Sequence, residues 1–92
     1  MNQAGRAVIK AQAKRYEHAL QVFKDTVEQV IDELEQLKEE EQEKFDNLSE
    51  GLQQAETGQK LEGAVDSLDG LIDSLREQGD LDEVDFDEAL DL

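Results

Sequence analysis

A single heptad stripe dominates the first half of the chain. Nine residues follow one another at alternating spacings of four and three positions: Ile9, Ala13, Tyr16, Leu20, Phe23, Val27, Val30, Leu34 and Leu37. This spacing places all nine on one face of a long α-helix, where they form a seam along which another helix can pack. The composition, without proline and with many Ala, Leu, Glu, Gln and Lys residues, favours helix. We therefore predict a long amphipathic helix over residues 1–46 and interpret the nine residues as a self-association seam.

A second, shorter stripe predicts another amphipathic helix over residues 58–78. Gly79 follows this stripe directly and Arg76 lies in the last turn, which is typical of a helix end. Residues 47–57, which include Gly51, form the predicted turn between the two helices. The sequence thus predicts an all-α protein, a helix–turn–helix hairpin with coiled-coil heptads. The expected hairpin core consists of Phe45, Leu48, Leu52, Leu61, Val65, Leu68, Ile72 and Leu75.

The second helix is too short to cover the whole seam. About 20 residues span roughly 30 Å, so a hairpin covers the seam only from Val27 to Phe45. The stretch from Ile9 to Phe23 would remain bare, and a row of exposed apolar side chains calls for a partner. One alternative is a second copy, giving a dimer or a four-helix bundle. The other is the acidic tail at residues 79–92, with Leu81, Val84 and Phe86 on the seam and aspartates near Lys10, Lys14 and Arg15.

The charge of the chain is unevenly distributed. The net charge is −16, but residues 1–24 hold five basic residues and one acidic residue, which gives +4. Residues 25–92 hold four basic and 24 acidic residues, which gives −20. This asymmetry indicates that the two ends have different partners or that they partner each other. A basic arm that binds nucleic acid or membrane directly is disfavoured, because the larger negative part repels phosphate.

The residues needed for catalysis or for a cofactor are scarce. The chain has no cysteine and one histidine, His18, and it has no glycine-rich phosphate loop, so we predict that it is not an enzyme and has no cofactor. Two acidic groups superficially suggest metal sites, but they lack the histidine of a di-iron motif and the central glycine of a calcium loop. We interpret both groups as solvated faces. They are Glu62, Asp66, Asp69 and Asp73, and Asp80, Asp82, Asp85 and Asp87.

These same eight carboxylates support an alternative function, mimicry of nucleic acid. DNA presents one negative charge per about 1.7 Å of helix axis, and a rigid acidic helical body could occupy a basic groove built for it. The protein would then inhibit a nucleic-acid-binding protein of its host. No apolar run reaches the ~20 residues of a membrane span, and no signal-peptide block is recognisable at the N-terminus. We therefore expect an intracellular protein without a membrane span.

The centre of the chain resembles a known group of proteins. The block EQEKFDNLSEGLQ (residues 41–53) is followed by ETG (56–58) and LEGA (61–64). It is similar to small acidic helical proteins of bacteriophages and bacterial mobile elements, which carry an FDNLPEGLQ block. The resemblance covers about residues 30–77, and Ser49 stands where the group often has proline. It implies an accessory protein that acts through protein–protein interaction in the cytoplasm of a bacterial host, and it implies no catalytic mechanism.

Overall fold

The computed structural model describes residues 1–81 and 84–91, and these residues form four helices without a strand. They are α1 (Gln3–Asp46), α2 (Glu50–Gln54), α3 (Glu56–Gly79) and α4 (Asp87–Leu90). The molecule measures 74 × 16 × 12 Å and its radius of gyration is 22.2 Å, whereas a compact domain of this length has a radius of about 12 Å. The predicted all-helical class and the elongated hairpin shape are confirmed.

Helix α1 is the axis of the molecule and is about 66 Å long. At its start, the Asn2 side chain accepts a hydrogen bond from the backbone N–H of Gly5 at 2.8 Å, which satisfies one of the free amides of the first turn. At its end, the backbone N–H of Asn47 donates to the carbonyl oxygen of Glu43 at 3.0 Å. No helix in the described part of the chain is long and apolar enough to cross a bilayer.

The predicted turn contains the short helix α2. Ser49 caps it, since its hydroxyl accepts a hydrogen bond from the backbone N–H of Leu52 at 3.4 Å. Gln53 points inward and its Nε2 donates to the carbonyl oxygen of Phe45 at 3.2 Å. Because Gln53 takes the inward position, Leu52 is 50% exposed. Leu52 therefore does not join the hairpin core, contrary to the sequence-based expectation.

Helix α3 begins two residues earlier than the pattern indicates. Ala55 has an extended backbone, and it both ends α2 and precedes the first residue of α3. Ala55 is therefore the single residue between the two helices. As a result Gly58 is buried directly against the backbone of Gln53.

Gly58→Ala is expected to destabilise the hairpin tip. A Cβ at this position would lie 2.2 Å from the carbonyl oxygen of Gln53, so the backbone would have to shift. Gly63→Ala and Gly70→Ala are the matched controls, because a Cβ there meets no atom within 4 Å. Each control should stabilise α3 by about 1 kcal/mol through helix propensity. Thermal denaturation followed by circular dichroism measures all three, and a neutral Gly58→Ala would contradict the close contact.

The core of the hairpin is small. Val27, Ile31 and Ile72 are its buried apolar residues, and Leu34 and Leu75 pack against them. Ile72, the most buried side chain, is 2% exposed. The other residues predicted for the core are partly buried: Phe45, Leu48, Leu61, Val65 and Leu68.

Two ion pairs join α1 to α3. The Lys38 ammonium lies 2.6 Å from the Asp69 carboxylate, and Arg76 binds Glu35. The hydrogen bond to Asp69 raises the pKa of Lys38 above its ordinary value of 10.5. The stabilisation that corresponds to the raised pKa of Lys38 is therefore present at neutral pH and is lost as the pH rises through that pKa. Exposed pairs contribute little free energy, so the packing of α3 on α1 depends mainly on the buried apolar residues.

Candidate interaction surface

Helix α3 covers only one side of the heptad seam. Relative to Val27, a residue four positions on is rotated by about 40° in one direction, and a residue three positions on by about 60° in the other. Ile31 lies on the first side and is buried against α3, whereas Val30 lies on the second side and is exposed. Leu37 is exposed as well, although it lies within the stretch that α3 was expected to cover.

The uncovered side forms a continuous apolar row. Its four members are spaced seven residues apart and are between 38% and 41% exposed. We call this row the open stripe; it consists of Tyr16, Phe23, Val30 and Leu37. Since seven residues correspond to nearly two helical turns, the four side chains share one face of α1 over about 32 Å. The open stripe is the main candidate for a functional surface.

The remaining seam residues have other environments. Val27 is buried and Leu34 packs on the core. Three further seam residues, in the N-terminal half of α1, are half-buried: Ile9, Ala13 and Leu20. Ile31 is a core residue that the seam analysis missed. Its position four residues after Val27 was a usable signal, because residues i and i+4 share a helix face.

The acidic tail folds back onto α1. The rings of Phe86 and Tyr16 are 5.6 Å apart between centroids and are tilted by 55°, a favourable aromatic arrangement. Val84 lines a groove of about 260 Å³ together with Leu20 and Lys24. Both side chains therefore lie where the fold-back alternative expected them, while Leu81 is exposed. That alternative also expected the tail aspartates near Lys10, Lys14 and Arg15; the described tail residues form no ion pair with these three.

The tail continues along the flank of α1 that α3 occupies. Glu17 and Lys24 line the groove with Val84. Glu17, Lys24, Ile31 and Lys38 follow one another at intervals of seven residues and so lie on the same face of α1. Ile31 packs in the core with Ile72, and Lys38 pairs with Asp69 of α3. Tail and α3 thus share one flank. Tyr16, at the end of the open stripe, contacts the tail through Phe86, whereas Phe23, Val30 and Leu37 are exposed beside that flank.

The predicted acidic contact surface is partly neutralised. Asp69 is paired with Lys38 at 2.6 Å, and Asp73 lies 3.7 Å from Arg76. Asp82 lies outside the described residues. The other members of this predicted surface are exposed and form no ion pair with a described residue: Glu62, Asp66, Asp80, Asp85 and Asp87. In the described part of the chain, no group of three or more His, Asp or Glu side chains is placed to hold a metal ion.

The chemistry of the open stripe is that of a contact surface. It is apolar and long, and exposed contiguous apolar rows of this kind are typical of surfaces that bind other proteins. His18 is exposed and forms no hydrogen bond or ion pair with a described residue. In the comparisons with known proteins, no family model matches the chain, and no curated protein or solved structure is significantly similar to it.

Proposed function

We propose that this protein is a non-enzymatic protein that acts by protein–protein interaction, a helical hairpin that self-associates through the open stripe. The observation that supports this proposal is the row of four large apolar side chains at seven-residue intervals, each about two-fifths exposed. Seven-residue spacing is the repeat by which helices pack along one another over long distances. In a monomer these side chains would add no packing against α3 to the stability of the fold, because α3 does not cover this face of α1.

The surface area of the chain supports the same proposal. The molecule exposes 7097 Å², whereas a compact monomer of 10.4 kDa exposes about 5,400 Å². The excess is about 1,700 Å² per chain. A stable interface buries about 800 Å² per partner, so the excess is sufficient for a complete helical interface.

The small core also favours assembly. Three buried apolar side chains hold α1 against α3, while ordering the backbone costs about 1–2 kcal/mol per residue. Two-helix units of this kind usually gain their remaining stability from oligomerisation. A dimer or four-helix bundle would bury the open stripe and add apolar contacts along α1.

The biological setting that we propose is that of a phage-type accessory protein in the bacterial cytoplasm. The proposal depends on the resemblance of residues 41–64 to the acidic phage group. In the structure this block spans the end of α1, all of α2 and the first turns of α3. It therefore forms the tip of the hairpin, away from the basic arm and the tail.

The alternative proposal is an acidic inhibitor that mimics nucleic acid and binds a basic host protein. Glu62 and Asp66 favour it, because both are exposed on α3 and form no ion pair with a described residue. The pairing of Asp69 and Asp73 within the chain counts against it. Capture from nuclease-treated bacterial lysate separates the two functions. A retained nucleic-acid-binding protein that is released by salt or by added DNA would favour mimicry.

The experiment that tests self-association is sedimentation of the purified chain over a wide concentration range. We expect the mass to rise to a multiple of 10.4 kDa, and the melting temperature to rise with concentration, because association stabilises the folded state by mass action. A chain that remains monomeric at every concentration, with a melting temperature independent of concentration, would refute the proposal.

A further inference from the structure

We propose that the open stripe binds a second copy of this chain in antiparallel orientation, so that the basic arm of each copy lies along the acidic stem of the other. The arm is residues 3–24 of α1, and the stem is residues 25–46. This inference depends on the proposed self-association and adds the orientation of the two copies. Its support comes from three features of α1: the symmetry of the open stripe, the lengths of arm and stem, and their charges.

The open stripe is symmetric about its own centre. Its four residues are equally spaced, and its midpoint falls between Thr26 and Val27. In an antiparallel pair centred there, Tyr16 faces Leu37 of the second copy and Phe23 faces Val30 of the second copy. The apolar row is thus matched along its whole length without any change in the hairpin. Each contact occurs twice, as the two-fold symmetry of a homodimer requires.

Arm and stem have the same length. Each comprises 22 residues of α1, or about 33 Å. The stem is the part of α1 that packs against α3. The arm projects beyond α3, and the tail packs against it. Antiparallel pairing therefore sets each projecting arm beside the hairpin of the other copy. In this arrangement both ends of the dimer contain an arm, a stem and an α3.

The charges distinguish this orientation from a parallel one. The arm carries a net charge of +4, and the stem, with two basic and ten acidic residues, carries −8. Parallel in-register pairing would place arm against arm and stem against stem, so both contacts would be repulsive. Antiparallel pairing places the +4 of each arm against the −8 of a stem at both ends. The acidic tail adds negative charge beside the arm, but this orientation still keeps the two stems, the most acidic segments of α1, apart. Electrostatic complementarity of this kind selects one orientation over the other.

The absence of cysteine from the sequence allows a direct test with single cysteines. One chain carries Tyr16→Cys, and a second chain, with a tag of a different length, carries Leu37→Cys. The two are mixed and allowed to form disulfides in a thiol–disulfide redox buffer. We expect the mixed disulfide between positions 16 and 37 to predominate. In a parallel pair these positions would be about 32 Å apart, far beyond the 4.4–6.8 Å between Cα atoms in a disulfide.

A second measurement leaves the open stripe unchanged. A spin label on His18→Cys, which is exposed and outside the open stripe, reports the distance between the two copies. Antiparallel pairing separates the two labelled positions by about 25 Å along the axis, whereas parallel pairing places them side by side. Predominant 16–16 and 37–37 disulfides with a short label distance would overturn the orientation and leave self-association intact. A monomer in sedimentation would overturn both proposals.

Two charge variants with the same net charge provide the complementary test. Lys10→Glu/Lys14→Glu removes the positive charge of the arm, and Lys44→Glu/Lys60→Glu makes the same change near the hairpin tip. Antiparallel pairing predicts a dissociation constant about tenfold or more higher for the arm variant at low salt, and no such loss for the tip variant. Parallel pairing predicts the reverse order, because the arm variant would then relieve repulsion. That reverse order would overturn the inference.

Discussion

Replacing Ile72 by alanine is expected to lower the melting temperature by about 8–40 °C. Ile72 is 2% exposed and is one of three buried apolar residues between α1 and α3. Truncation of such a side chain costs about 2–5 kcal/mol, since it removes apolar burial and leaves a cavity. For a chain of this length each kcal/mol corresponds to about 4–8 °C. Because the core is so small, no other apolar cluster in the described residues can compensate for the loss.

The neighbouring residue supplies a matched control for this substitution. Leu71 is an isomer of isoleucine, lies in the same turn of α3 and is 47% exposed. Leu71→Ala should change the free energy of unfolding by about 0.5 kcal/mol or less, as surface substitutions usually do. Circular dichroism melts at equal protein concentration give both values. Equal melting temperatures for the two variants would contradict the packing of α3 on α1 described above.

Phe23→Asp is expected to convert the assembled protein into monomers. Phe23 lies in the middle of the open stripe, and its loss removes a large apolar contact and introduces a carboxylate that would have to be desolvated in an interface. A penalty of about 3 kcal/mol per copy, counted twice in a symmetric dimer, raises the dissociation constant by about four orders of magnitude. Sedimentation velocity at a concentration where the native chain is associated measures the effect.

His18→Asp is the control for Phe23→Asp. It also places an aspartate on the exposed surface of the arm, but His18 is outside the open stripe. This variant should therefore retain the assembled mass. If Phe23→Asp sedimented like the native protein, the open stripe would not be the association surface.

The sequence was sufficient to predict the long helix and the hairpin, since both depend on the local spacing of apolar residues. The periodicity that begins at Ile9 predicted α1, and the stripe that ends at Leu75 predicted α3, in agreement with the helices observed. The side of the seam that α3 covers was not predictable from that periodicity. A residue four positions after Val27 and one three positions after it lie on opposite sides of the seam, and both are apolar. The choice between Ile31 and Val30 depends on tertiary packing, which places Ile31 in the core with Ile72.

The turn and the tail show where local patterns are insufficient. Leu52 matched the core pattern, but the conformation of α2 gives the inward position to Gln53, whose amide satisfies a carbonyl oxygen of α1. For the tail, a composition rich in acidic residues is typical of a disordered segment and does not by itself predict docking on α1. The contact between Phe86 and Tyr16 joins residues 70 positions apart, a separation at which heptad analysis carries no information.

The ring contact between Phe86 and Tyr16 gives the protein an intrinsic fluorescence probe. Tyr16 is the only tyrosine and the chain has no tryptophan, so its near-ultraviolet emission comes essentially from one side chain. That side chain lies where the arm, the tail and the end of the open stripe meet. Release of the tail or arrival of a second chain changes the surroundings of the same ring. Both events can therefore be followed in solution by the fluorescence of the unlabelled protein.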